Sequence, residues 1–172
     1  METYTYVDGS LRIRSISATA SFLGEPDYVN HINKNAAVAC LVKSESKNVT
    51  STMHSEILAI FRGTITSEYI ADVRDETGFP QSSPSIIFTD NQPAIRFLEQ
   101  TGKIQNRTTR HLRRRTEYIR QAITSGRIKL MYVPSHLNCA DVLTKALPKD
   151  LFQRHTKNLM GRLCVRSSKE RP

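Results

Sequence analysis

Residues 85–94 read SIIFTDNQPA, and this stretch narrows the choice of fold more than any other. A short apolar run rich in Ile and Phe stops on Asp90, and Asn91, Gln92 and Pro93 follow at once. The run has the length of a strand, and the polar residues behind it have the character of a helix start. A chain that passes from strand to helix with almost no loop belongs to a sheet covered by helices.

The flanking segments extend that pattern. TYTYVD (3–8) alternates and is aromatic, and SISATASFL (15–23) sets Ile16, Ala18, Ala20 and Phe22 on one face of a second strand. GEPDYVNHINKN reads as a connection, and residues 36–43 (AAVACLVK) read as a third strand, completing an antiparallel meander. Thr50 to Thr52 then offer N-caps for a long helix, in which Ile57, Ile60, Phe61 and Ile65 recur at helical spacing. ETGFPQSSPS ends it with Gly and two prolines before the strand at 85–89. Helices are predicted over roughly 92–101 and 108–125, the latter with Leu112, Ile119 and Ile123 inward, followed by a strand at 127–133. Helices at 138–147 and 149–160 close the series. The order βββ-α-β-α-α-β-α-α predicts an α/β fold with a mixed sheet flanked by helices. One domain is expected over 1–163, with a polar, disordered tail at 164–172.

Charge points to the partner. Lys and Arg number 25 against 16 Asp and Glu, a formal net charge of +9. The excess gathers between Arg107 and Arg127, where seven arginines face one acid, Glu117. A solvated helix face would explain such a run, but in a chain already basic it also suits phosphate contact. No apolar stretch reaches the ~20 residues of a membrane span. The start, METYTYVDGS, lacks the features of a signal peptide, so an intracellular protein without a membrane partner is expected. Cys40, Cys139 and Cys164 are too scattered for a Cys-x-x-Cys metal or redox motif.

Four acids stand apart from the remainder. Asp8 closes the first strand, Glu56 sits beside Ile57 in the first helix, Asp90 ends the fourth strand, and Asp141 opens the helix after the fifth. Only a fold could gather residues so distant. If strands one and four are parallel neighbours, Asp8 and Asp90 lie together at the carboxyl ends, where open α/β sheets place their sites. Converging carboxylates repel, and a pair of divalent cations about 3.5–4 Å apart would relieve this while activating water for phosphoryl displacement. Each acid also has a plainer role open to it: Asp8 as a turn residue, Asp90 and Asp141 as N-caps, Glu56 as a first-turn acid.

The segments FTDNQPAI (88–95), NRTTRHLRRRTEYIR (106–120) and GRIKLMYVPSHLNCADVLTKALPKDLF (126–152), with TSTMHSEILAI (50–60) and YVDGS (6–10), carry a resemblance. The chain resembles the ribonuclease H domain of the Pol polyprotein of copia-type LTR retrotransposons. The resemblance implies a ribonuclease H-like fold, a five-stranded mixed sheet of order 3-2-1-4-5. It implies an endonuclease that cuts the RNA strand of RNA–DNA hybrids during reverse transcription, leaving 5′-phosphate products. Asp8, Glu56, Asp90 and Asp141 become catalytic ligands of two Mg²⁺ ions, with Mn²⁺ as a substitute and no small-molecule cofactor. Gly9, Ser10, Asn91 and Gln92 become candidates for 2′-hydroxyl or phosphate contacts, with Asn91 and Gln92 open also to the plainer role of starting the helix. Arg107, Arg110, Arg113, Arg114 and Arg120 become candidates for DNA phosphates. His111 matches a Lys/Arg-His motif, either capping or touching substrate. His136 is either an auxiliary product-release or proton-shuttling group or a plain surface histidine. A reverse transcriptase domain is the expected neighbour in a parent polyprotein, in a cytoplasmic particle or the nucleus. The competing expectation is a degenerate or domesticated fragment that binds nucleic acid without cutting it.

Overall fold

The computed structural model describes residues 2–10, 15–44, 51–100 and 112–161, with the side chain of Ser10 excepted. Its sheet is built outward from β1 (Glu2–Ser10), whose residues Thr3 to Asp8 are all buried. β2 (Ile16–Gly24) pairs antiparallel with β1 from Glu2↔Gly24 to Ser10↔Ile16, and β3 (Ala39–Ser44) pairs antiparallel with β2. On the other side β4 (Ser85–Thr89) runs parallel to β1, and β5 (Ile128–Tyr132) runs parallel to β4. The resulting order is β3-β2-β1-β4-β5, as expected.

One face carries α1 (Thr52–Glu76), α2 (Gln92–Glu99) and α3 (Arg113–Thr124) over an apolar core that includes Val7, Ile57, Ile60, Ile87, Leu98 and Ile119. The opposite face carries α4 (Lys149–Met160) and two 3-10 turns, Ser135–Leu137 and Cys139–Leu143. Its core is aromatic, with Tyr6 stacked on Phe88 at 4.9 Å between ring centroids and Tyr4 on Phe22 at 5.3 Å. It also holds polar groups. Tyr6 Oη meets His31 Nδ1 at 3.0 Å, and Asn158 donates to the His31 carbonyl at 3.1 Å. His155 is fully buried with neither ring nitrogen hydrogen-bonded among the described residues.

Three local expectations are corrected. Residues 138–147 do not form an α-helix. Asn138 is extended (φ −74°, ψ 100°), and its side chain donates to the Val7 carbonyl and accepts from the Ala140 N–H, drawing the segment onto β1 as short 3-10 turns. The third strand begins at Ala39, because the Ala37 N–H is bonded to the Leu159 carbonyl of α4. Ile65 is exposed. At that level α1 turns Thr64 and Ser67 inward instead, and the Ser67 hydroxyl meets Thr5, itself bonded to Ser21. The second face of β2, with Ser17, Thr19 and Ser21, is buried as well. The expected helix at 108–125 is described from Arg113 onward, and the polar tail lies outside the described residues. Among the described residues no helix is long and apolar enough to cross a membrane.

Candidate metal centre

Strand parity decides which acids meet. β1 and β4 pair as Tyr4↔Ile86 and Tyr6↔Phe88, so Asp8 and Asp90 continue the same alternation at the same carboxyl edge. Side chains two residues apart share a face. Asp8 therefore lies on the side of Tyr4 and Tyr6, Asp90 on the side of Ile86 and Phe88, and both on the aromatic face. The 3-10 turn crosses that face, and Asn138, anchored to the Val7 carbonyl at 3.0 Å, brings Asp141 beside Asp8. One carboxylate oxygen from each of Asp8, Asp90 and Asp141 lies within 4.8 Å of the others.

Glu56 arrives from the opposite face, on α1. Its Oε1 accepts from the Gly9 N–H at 3.2 Å and its Oε2 from Thr89 Oγ1 at 3.4 Å. It is not one of the three clustered acids, but it opens on the same cleft as Asp8, Asp90 and Lys145. Gly9 makes this approach possible. A Cβ there would stand 2.4 Å from the Ser55 carbonyl carbon and 2.5 Å from the Glu56 nitrogen.

The plainer roles open to these acids are taken by other residues. Asn91 caps α2, its Oδ1 accepting from the Ala94 N–H at 2.9 Å. Asn138 caps the turn that carries Asp141, and Ser51 caps α1, whose first turn holds no acid. Asp8 is paired within β1 opposite Ala18 and belongs to no turn. None of the four is the cap of its element.

The cluster is strongly anionic. Burial, then the charges of Asp8 and Asp90, hold the Glu56 carboxyl well above the usual carboxylate range, with the Gly9 N–H opposing. Burial and then Asp8 push Asp141 up to about 7, against the pull of Lys145. Asp8 Oδ2 accepts from the Thr144 hydroxyl, and Asp8 Oδ1 from Lys145 Nζ at 2.9 Å. The same ammonium reaches Asp141 Oδ2 at 3.1 Å. Burial alone would lower the Lys145 pKa, but its two carboxylate partners leave it raised. Asp141 Oδ1 is buried and has no hydrogen-bond partner among the described residues. Hard oxygen donors from three elements, one of them lacking a partner, fit an oxygen-seeking divalent cation.

The remaining candidates divide. Asn91 lines the cleft as well as capping α2, while Gln92 is exposed at the first position of that helix. Arg113 and Arg114 are exposed on α3. Arg120 serves the fold: it donates to the carbonyls of Phe97 (2.7 Å) and Leu98 (3.3 Å) at the end of α2 and lies over the Phe97 ring. His136 is exposed on the first 3-10 turn and does not line the cleft. Arg107, Arg110, His111 and the Ser10 side chain lie outside the described residues. Lys145 and Thr144 were missed by sequence reasoning, although Lys145 follows Asp141 by one helical turn, a spacing that brings charged pairs together.

No protein-family model matches the chain. Over 117 residues, 68% of this chain, it is 24% identical to the retrovirus-related Pol polyprotein from transposon RE2 of Arabidopsis thaliana, and 23% identical to that from transposon RE1. The chain spans 8% of the length of each of these relatives. Among solved structures it is similar to LC11-RNase H1, isolated from compost by a metagenomic approach. The TM-score is 0.58 at 14% identity, covering 83% of this chain and 91% of that one. A second structure of that protein, in complex with RNA/DNA hybrid, gives a TM-score of 0.54 at 12% identity, covering 80% and 88%. The prototype foamy virus protease-reverse transcriptase matches at a TM-score of 0.53 and 12% identity, covering 92% of this chain and 21% of that one. The fold is the ribonuclease H fold, and the sequence is similar to retrotransposon Pol.

Proposed function

We propose that this chain is a metal-dependent ribonuclease H of a copia-type retroelement, cutting the RNA strand of RNA–DNA hybrids. The observation that carries this reading is the meeting of Asp8, Asp90 and Asp141 within 4.8 Å, with Glu56 opening on the same cleft from across the sheet. The similarity to transposon Pol proteins and to an RNase H1 crystallised with a hybrid supports the substrate class.

Asp8, Asp90 and Asp141, with Glu56 on the same cleft, would hold the two Mg²⁺ ions of this reading. Bound there, the ions supply an activated water and stabilise the leaving oxygen of an in-line displacement, with Mn²⁺ as a substitute. The residues of the chain do the positioning. The Gly9 N–H and Thr89 hydroxyl orient the Glu56 carboxylate, and Asn138 fixes Asp141 beside β1. Gly9, Ser10, Asn91 and Gln92 lie next to the acids in the chain and would read the RNA strand through its 2′-hydroxyls. Arg113 and Arg114, with Arg107, Arg110 and His111, would hold DNA phosphates, so binding should weaken with salt and vary little with sequence. A reverse transcriptase in the same polyprotein is the proposed neighbour, in a particle or the nucleus.

The test is cleavage of an RNA–DNA hybrid in Mg²⁺, with duplex DNA and duplex RNA as comparisons. The hybrid alone should be cut, and Asp90→Asn should reduce the rate by about a hundredfold or more, beyond the usual loss from an outer-shell change. Undiminished cleavage by the variant refutes the site. Tight hybrid binding without Mg²⁺-dependent turnover would instead assign a nucleic-acid-binding protein derived from such an enzyme.

A further inference from the structure

We infer that Lys145 is the resident counter-ion of the carboxylate cluster, which a divalent cation must displace to bind, so that this side chain sets the metal demand of the site. The inference rests on the metal-centre reading above and adds a competitor to it.

The geometry supports displacement. Both oxygens of Asp8 are engaged, Oδ2 by the Thr144 hydroxyl and Oδ1 by Lys145 Nζ at 2.9 Å. The same Nζ stands 3.1 Å from Asp141 Oδ2, so one ammonium bridges two of the three clustered acids. A cation joining Asp8 to Asp141 would stand where Nζ stands. Two positive charges that close repel strongly in a partly buried cleft, so the two states exclude each other.

The side chain can move, and the acids cannot follow it. Lys145 keeps 29% of its side-chain surface exposed, whereas Asp8 keeps 1% and Asp141 7%. Lysine is a flexible stem with a compact charge, suited to leaving one ionic partner for another. Asp8 is held in the central strand and Asp141 by the Asn138 anchor. Formal charge agrees. Four carboxylates are matched by two divalent ions alone, which leaves the ammonium in surplus, free to face a phosphodiester drawn into the cleft.

Other features carry less. The groove beside Ile65, Tyr69 and Asp72 is open, with nothing to show what would fill it. The unpartnered His155 nitrogens are enclosed in the core, where no ligand reaches them.

The experiment titrates Mn²⁺ calorimetrically into the whole chain, as wild type, Lys145→Met, Thr144→Val and Asp90→Asn. Lys145→Met should bind the first ion about tenfold tighter or more, the low end of what a nearby opposite charge does to a carboxylate's proton affinity. Thr144→Val, which removes an Asp8 partner without changing charge, should bind within about twofold of wild type. In EDTA the Lys145→Met protein should melt below wild type, and saturating Mn²⁺ should close the gap. A measurement on the unaltered chain covers the case in which the variant fails to fold. The ammonium resonance of Lys145 in the metal-free protein should lose its ion-pair signature on saturation with diamagnetic Mg²⁺. An unchanged Mn²⁺ affinity in Lys145→Met, or an ammonium signature that survives saturation, overturns the inference. Binding indifferent to Asp90→Asn overturns the metal centre itself, so the two failures are separable.

Discussion

The two faces of the sheet reach the same carboxyl edge by different chemistry. Under α1, α2 and α3 the core includes Val7, Ile57, Ile60, Ile87 and Leu98, and Glu56 is the acid that side delivers to the cleft. Under α4 and the 3-10 turns, aromatic rings share the interior with His31, Asn33, His155 and Asn158, and that side delivers Asp8, Asp90 and Asp141 together. Strand alternation sets Asp8 and Asp90 on one face, the Asn138 anchor adds Asp141 to them, and Glu56 stands across the sheet on α1. A carboxylate site here is therefore also a junction between two cores, one aliphatic with a hydroxyl layer under α1 and one aromatic with buried histidine and amide side chains.

Mutation of β4 separates the two faces. Phe88→Ala and Ile87→Ala remove neighbouring side chains that point to opposite sides, both fully buried. Phe88→Ala should cost about 3–5 kcal/mol and Ile87→Ala about 2–4 kcal/mol in chemical denaturation. Only the former should also disturb His31 and Tyr28, whose rings meet Phe88. Equal spectral disturbance of His31 by both variants would dissolve the distinction between the faces.

Acidification should strain the polar face. Burial, then Arg154 and His136, lowers the His155 pKa from 6.5 to about 4. A histidine depressed in the folded state contributes its full stability above about pH 6.5, and loses it as pH falls toward 4 because the unfolded chain takes up the proton first. The loss should total roughly 3 kcal/mol, since each tenfold change in proton affinity is worth about 1.4 kcal/mol. Glu56 and Asp141 act in the opposite sense, since their raised carboxyls favour the protonated folded state on acidification. The clean readout is thus the difference between wild type and His155→Leu, which should change sharply between pH 6.5 and 4. A constant difference would mean that His155 is not held neutral.

Two smaller effects complete the contrast. Tyr6→Phe removes the hydroxyl that meets His31 and should cost about 1 kcal/mol, with His31 left short of a partner. Ile65→Gln, on the exposed side of α1, should change the denaturation midpoint by less than the equivalent of about 0.5 kcal/mol. A larger loss would show that this side of α1 is covered in solution.

The sheet was legible because its strands are short, apolar and bounded by polar breaks; Ser85–Thr89 falls where the pattern of SIIFT sets it. Asp90 was legible as the residue that follows a strand, whereas β1 runs past Asp8 to Ser10, and the meeting of the two acids followed from treating strands one and four as parallel neighbours. Other features were hidden. The hydroxyl layer of Thr5, Ser21 and Ser67 is a tertiary contact, and it displaced Ile65 from the inward face that periodicity gave it. The turn at Cys139–Leu143 has a helical composition, and only the long-range bond from Asn138 to Val7 forces it into 3-10 geometry. Arg120 looked like its exposed neighbours, but it sits where α2 ends, and free carbonyls there claimed it. Lys145 was hidden because its contact with Asp8 spans most of the length of the chain and exists only once β1 and the 3-10 turn meet.

If this junction of two cores cuts RNA with the help of divalent ions, a hybrid with separately labelled strands will show it. The hybrid is incubated with wild type or Asp8→Asn, in Mg²⁺ or EDTA. The RNA strand alone should be cut, by wild type alone and in Mg²⁺ alone, leaving 5′-phosphate ends. An RNA strand left intact by the wild type, or cut equally well by Asp8→Asn or in EDTA, would contradict the reading of the site.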